Sequence, residues 1–211
     1  MGKVMGAIVL IFWAGFAMAE KVTIAALGDS LTQGYGLPVE DGFVPQLENW
    51  LQDQGQDVAV INAGVSGDTT AGGLSRIAWT LTPDVDALIV TLGGNDLLRG
   101  IGPEVSRANL DGIVAAAQEA GVAVLLVGMQ APGNYGPDYK AAFDAMYPEI
   151  AEAYGVLYLE SFFAGLGGAG TDPASLRAYM QPDGIHPNAS GVREIVQGIG
   201  PQVVDLIAQV Q

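Results

Sequence analysis

The sequence has no cysteine, which excludes disulfides, thiol nucleophiles and cysteine-bound zinc. It has one histidine, His186, too few for the multi-histidine sites of zinc hydrolases. Basic residues are scarce: 8 Lys and Arg stand against 23 Asp and Glu, a formal charge of −15. A nucleic-acid partner needs a basic surface to neutralise its phosphates, so that class is set aside. The apolar stretch from Val4 to Phe16 falls short of the ~20 residues that span a bilayer.

What is present points elsewhere. The chain has 211 residues, half of them apolar, which suits one domain with a substantial core. The opening "MGKVMGAIVLIFWAGFAMAE" places Lys3 before the apolar stretch and Ala17-Met18-Ala19 after it. That order is the three-part pattern of a secretory leader. Residues 1–19 are therefore expected to be cleaved, with Glu20 as the new start and export to the periplasm or beyond. Residues 20–211 are expected to form the single mature domain, with no membrane span left after cleavage.

Short apolar runs alternate with helical patterns. Val22 to Leu27, Val58 to Asn62, "VDALIVTLGGND" up to Leu92, "VAVLLVGM" and "GVLYLE" read as five strands. Between them, Phe43, Val44, Leu47, Trp50 and Leu51 recur at helical spacing. "TTAGGLSRIAWTL" reads as a helix after a glycine-rich start, and another runs from Pro103 to a stop at Gly121. A third covers Pro137 to Tyr154 with an interruption expected at Pro148, and the last runs from about Asn188 to Ala208. The alternation predicts an α/β fold, a three-layer sandwich around a parallel five-stranded sheet. In such sheets ligands bind beyond the carboxyl ends of the strands.

Polar, glycine-rich stretches collect at those ends. "GDSLTQGYG" follows strand 1, "NAGVSGDTT" strand 2 and "GGNDLLRG" strand 3, while "DGIHP" precedes the last helix. Ser30 stands at a sharp exit next to a helix start, where it serves either as a nucleophile or as a helix cap. Gly64 and Asn95 suit either tight turns or donors to a developing oxyanion. His186 precedes Pro187, which disfavours helical geometry. Asp183, three residues earlier, is within reach of its ring or is an ordinary turn residue. An imidazole ordinarily titrates near 6.5, so a base at His186 predicts activity that rises through a single ionisation on the acid side.

Taken together, "GDSL" at Gly28 to Leu31, "NAGVSGDTT", "GGND" and "DGIHP" resemble, in order and spacing, the four blocks of the GDSL or SGNH hydrolase family. "MQAPGNYGPDY" and "DGIHPNASG" further resemble its periplasmic multifunctional thioesterase, arylesterase and lysophospholipase subgroup. The resemblance implies a flavodoxin-like sheet, no cofactor and no metal. It implies Ser30 as nucleophile, His186 as base and then acid, and Asp183 as its orienting partner. The backbone N–H groups of Ser30 and Gly64 and the side chain of Asn95 would form the oxyanion hole. The substrate would be a small acyl ester or thioester, the enzyme a monomer. The glycine-rich stretch Ala164 to Met180 departs from the subgroup, so chain-length preference does not carry over. "LLRGIG", Leu97 to Gly102, resembles a loop that covers the substrate.

Three other readings compete. A passive anion-binding module would use Ser30 and Gly64 as donors, though no P-loop string occurs. A metal hydrolase would use Asp29, Asp68, Asp96 and His186. A carbohydrate O-acetylesterase would share the family's chemistry and differ in substrate.

Overall fold

The computed structural model describes residues 21–167 and 173–211. The expected leader and its cleavage site lie outside the described residues, as does the middle of the glycine-rich stretch. Five parallel strands, β1 (Val22–Gly28), β2 (Val58–Gly64), β3 (Ala87–Thr91), β4 (Ala123–Val127) and β5 (Leu157–Leu159), form one sheet in the order β2-β1-β3-β4-β5. Every residue of β3 is buried, as expected for a central strand covered on both faces, which is why its sequence does not alternate.

The helices are α1 (Ser30–Gln33), α2 (Phe43–Asp53), α3 (Thr70–Thr80), α4 (Gly94–Leu98), α5 (Pro103–Glu119), α6 (Pro137–Tyr154), α7 (Pro173–Leu176) and α8 (Ala189–Ile207). α2 packs against α8, while α5 packs between α3 and α6, giving the three layers predicted. The apolar periodicity of α2 has its physical basis here: Phe43, Val44, Leu47 and Leu51 are buried. Trp50 lies against Gly200 of α8, where a Cβ would meet the indole ring at 2.4 Å.

Two local expectations are corrected. α6 runs through Pro148 without interruption. The amide that proline lacks would have bonded to the carbonyl of Asp144, and Asp144 and Pro148 both line a polar surface recess. β2 extends to Gly64, two residues past its expected end, which changes the role of that glycine.

The chain enters β3 after leaving β2 and crosses β1 to do so. The sheet order therefore reverses between β1 and β3, and a crevice opens at their carboxyl ends. Gly28 pairs in register with Gly64 on one side and Thr91 on the other. This row is the last level of the sheet, and the loops leaving it build the site.

Candidate active site

The turn after β1 is organised by Asp29. Its Oδ1 accepts the N–H of Leu31 at 3.0 Å and so caps α1. The capping role weighed for Ser30 thus falls to its neighbour, and the Ser30 hydroxyl is left for another partner. Gly28 is required by packing, since a Cβ there would meet the hydroxyls of Thr32 and Thr91 at 2.0 and 2.2 Å. Those hydroxyls bond to each other at 2.5 Å. Arg76 of α3 ties the neighbouring ends together, donating to the carbonyls of Gly28 and Ala63 and to Asp68 Oδ2.

The Ser30 hydroxyl lies 2.9 Å from His186 Nε2, and His186 Nδ1 lies 2.7 Å from Asp183 Oδ2. Asp183 Oδ1 accepts the N–H groups of Ile185 and His186 at 2.9 and 3.0 Å. The hydrogen bond from His186, then those two backbone N–H groups, lower the Asp183 carboxyl to about 2. An ionised carboxylate only accepts, so Nδ1 carries the imidazole proton and Nε2 is the acceptor for the serine O–H. The ring of Tyr35 covers the imidazole, with centroids 4.7 Å apart.

Asn95 stands in the first turn of α4 and lines the same cleft. Its Nδ2 donates to Asp29 Oδ2 at 3.1 Å, which orients the amide and leaves it one N–H to offer. Burial pushes the Asp29 carboxyl up to about 6, against the hydrogen bonds from Leu31 and Asn95 that favour its ionised form. Next to Asn95, the fully buried Asp96 accepts from the N–H of Thr70 at 2.9 Å, its hydroxyl at 2.5 Å and the Ser106 hydroxyl at 2.9 Å. The loop after β2 is thereby locked to the start of α4 and to α5. α6 secures the segment from both ends: the hydroxyl of Tyr147 donates to the carbonyl of Leu92, and that of Tyr139 to the carbonyl of Ile101.

Gly64 does not reach the cleft as expected. It is the last residue of β2, and its N–H donates to Asn62 Oδ1 at 2.9 Å. A Cβ at this position would meet the backbone of Gln33 at 2.3 Å, so Gly64 is a packing glycine behind α1. The glycine of this block that lines the cleft is Gly67, at φ +81°, with its carbonyl held by Arg99 Nη2 at 2.7 Å. "NAGVSGDTT" contains both glycines. Only the true length of β2 separates them, the later one standing two residues before the Thr69 cap of α3.

The carboxylates of the metal reading do not converge. Asp68 is paired with Arg76, Asp96 with Thr70 and Ser106, and Asp29 with Asn95. Among the described residues no group of three or more His, Asp or Glu side chains is arranged to hold a metal ion.

Around Ser30 and His186 opens a cleft of about 1100 Å³. Its walls are mainly apolar, with Leu31, Leu97, Met129, Phe163, Leu166 and Met180 among them. Such a surface suits an acyl chain better than a charged ligand. Among the described residues no helix is long and apolar enough to cross a membrane.

Comparison with known proteins agrees with this architecture. The sequence profile of the GDSL-like lipase/acylhydrolase family matches residues 26–194. Esterase TesA of Pseudomonas aeruginosa is 37% identical over 190 residues, covering 90% of this chain and 91% of the relative. Arylesterase of Vibrio mimicus is 34% identical over 200 residues, with 93% and 96% covered. Thioesterase 1/protease 1/lysophospholipase L1 of Escherichia coli is 33% identical over 194 residues, with 91% and 88% covered. Among solved structures, that of TesA superposes with a TM-score of 0.77 at 36% identity, covering 87% of this chain and 99% of the other. AlinE4, an SGNH-hydrolase family esterase, gives 0.72 at 41% identity, with 90% and 98% covered. From its sheet order to the loops that meet at Ser30, the chain belongs to the GDSL-like lipase/acylhydrolase family and is a GDSL-type esterase.

Proposed function

We propose that the enzyme hydrolyses esters of apolar acyl chains through an acyl-enzyme on Ser30. The observation that carries this reading is the unbroken chain Asp183–His186–Ser30, with contacts of 2.7 and 2.9 Å, at the mouth of an apolar cleft. His186 Nε2 takes the hydroxyl proton as Ser30 Oγ attacks the ester carbonyl. The imidazolium is stabilised by Asp183. The carbonyl oxygen becomes an oxyanion, for which the donors are the Ser30 N–H, the Gly67 N–H and Asn95 Nδ2. Ser30 opens α1, so its N–H has no carbonyl partner within the helix. Collapse of the tetrahedral intermediate breaks the bond to the alcohol, and Nε2 returns its proton to that leaving oxygen. Water, deprotonated by the same nitrogen, then releases the acid and restores Ser30.

A passive anion module has no use for an oriented base, which favours catalysis over binding. The volume and apolar lining favour acyl chains longer than acetyl over a carbohydrate O-acetylesterase. With a formal charge of −15, long-range repulsion disfavours polyanionic acyl-CoA, so neutral or zwitterionic esters are the proposed substrates. The opposing reading is a local basic patch at Arg99 and Arg107 near the Asn95 loop, but Arg99 is engaged by the Gly67 carbonyl and Arg107 by Glu149. The leader is proposed to be removed after Ala19; mass spectrometry of the exported protein should find Glu20 at its N-terminus.

The mechanism is tested with Ser30→Ala and a fluorophosphonate probe. The variant should fold normally and lose at least about 10³-fold in kcat, and the probe should label wild type at Ser30. Retained hydrolysis in the variant, or labelling of another serine, would overturn it. A series from acetyl to palmitoyl p-nitrophenyl esters, assayed with and without EDTA, then defines chain length.

A further inference from the structure

The base sits on a loop and the nucleophile opens α1; the two meet only in the folded chain, and one side chain joins their segments. Gln181 Nε2 donates to the carbonyl of Tyr35 at 2.8 Å and to the carbonyl of Pro187 at 3.0 Å. Its backbone N–H donates to the carbonyl of His186 at 2.7 Å, and its own carbonyl accepts the N–H of Gly184 at 3.0 Å. Residue 181 therefore closes the loop that carries Asp183 and His186. On the other side, the N–H of Tyr35 donates to the carbonyl of Ser30 at 3.0 Å, and its ring covers His186.

We propose that Gln181 is a positioning residue, a latch whose amide sets the separation and mutual orientation of Ser30 and His186. The route is short: Ser30 carbonyl to Tyr35 N–H, Tyr35 carbonyl to the Gln181 amide, and Gln181 to the backbone on both sides of the imidazole. Among the described residues, the Gln181–Tyr35 contact is the one hydrogen bond joining residues 30–36 to residues 181–187 besides that between Ser30 and His186 themselves. Gly36 makes room for it, since a Cβ there would meet Gln181 Oε1 at 2.3 Å. Both acceptors are carbonyls, so the chemistry demands a donor of this length. An ionised carboxylate would be repelled, and an apolar side chain would leave the two carbonyls without the amide.

The proposal rests on the serine mechanism above. Its test uses two variants that keep the backbone bonds of residue 181 and approximate the size of its side chain, Gln181→Met and Gln181→Glu. Steady-state kinetics on a short p-nitrophenyl ester and the fluorophosphonate labelling rate of Ser30 are measured from pH 5 to 8. Displacement of reacting groups by an ångström can cost about 10²-fold. Both variants are expected to lose about that in kcat at pH 8, with KM within about threefold of wild type and the labelling rate falling in parallel. As pH falls, the Glu variant gains a donor on protonation, so its activity relative to wild type should rise, while that of the Met variant stays flat.

Variants with wild-type kcat and labelling rate would overturn the latch, as would a lower melting temperature with unchanged kcat. A Glu variant whose relative activity does not change with pH would overturn the donor argument. Ser30→Ala is assayed alongside. If it is dead while the Gln181 variants are active, the latch alone fails. If it is active, the serine mechanism itself fails.

Discussion

Asp29 and Asp183 flank the hydrogen-bonded pair Ser30 and His186, one beside Ser30 and the other three residues before His186, and their carboxyls are displaced in opposite directions. Asp29 is 2% exposed and is pushed up to about 6 by burial. Asp183 has a side chain 39% exposed and is drawn down to about 2 by hydrogen bonds from His186 and the following backbone. The difference separates two ways of fixing a polar side chain at the cleft. On the strand side, a buried network holds Ser30 and Asn95, and its acid is costly to ionise. On the loop side, a solvated carboxylate stays charged at any working pH, and position comes from a few hydrogen bonds across the loop.

The contrast is broken most severely at Asp183. Asp183→Asn keeps the base and loses the charge that orients it and stabilises the imidazolium. It should reduce kcat by about 10²- to 10³-fold, less than His186→Ala, with little loss of stability. Steady-state kinetics and thermal melts on the two variants check both halves of that statement. A fall in melting temperature comparable to the fall in activity would mean that Asp183 supports the fold as well.

At Asp29 the expectation is reversed: stability changes with pH. Its folded pKa, about 6, lies above the ordinary value of ~3.9 for an unfolded chain. The favourable contribution of the neutral acid is therefore complete below about pH 4 and is lost as pH rises through about 6. Asn is also a good helix cap. Asp29→Asn should thus be more stable than wild type at pH 8, by up to about 3 kcal/mol, and the gain should shrink towards pH 4.5. Urea unfolding at the two pH values measures this; a pH-independent difference would argue against a buried, titrating acid. The same group adds an ionisation beside Asn95, so the pH dependence of activity should carry more than a single step.

The smallest effects should distinguish two glycines on the strand side. Gly64→Ala forces a Cβ into the backbone of Gln33 and should cost about 1–3 kcal/mol of stability. Gly67→Ala meets only open space and the Arg99 guanidinium at 3.7 Å, but strains a backbone at φ +81°. It should cost about 1–2 kcal/mol of stability and lower kcat about tenfold, a fraction of what a full oxyanion donor supplies. A larger kcat loss at Gly64 than at Gly67, measured per folded molecule, would return the donor role to Gly64.

These particulars show how far the sequence could be read. The strands and the four polar blocks were legible because buried parallel strands are continuous apolar runs and the fold puts its loops at one end. Ser30, Asn95 and His186 line one cleft, and Asp183 stands behind His186 at 2.7 Å from its Nδ1. Gly64 falls behind α1 and not on the cleft because strand length is set by pairing, here with Gly28, and the apolar pattern faded two residues too early. Some interruption was expected at Pro148, yet packing of α6 against α5 and the sheet outweighs one missing amide. The cap at Asp29 and the latch at Gln181 left no usable signal. The first depends on which of two adjacent capping residues faces the helix. The second joins residues 146 positions apart, and no local pattern records such a meeting.

Ser30 and His186 are themselves 156 residues apart, and the base directly precedes the helix that closes the fold. During synthesis the proposed nucleophile therefore emerges from the ribosome long before its proposed activator exists. A nascent or unfolded chain carries an inert serine, with no imidazole close enough to take its proton. On the proposed mechanism, hydrolysis needs His186 to have been made and brought to within 2.9 Å of Ser30. On that mechanism folding is itself the activating step: the serine gains its partner only when residues far apart in the chain have been brought together.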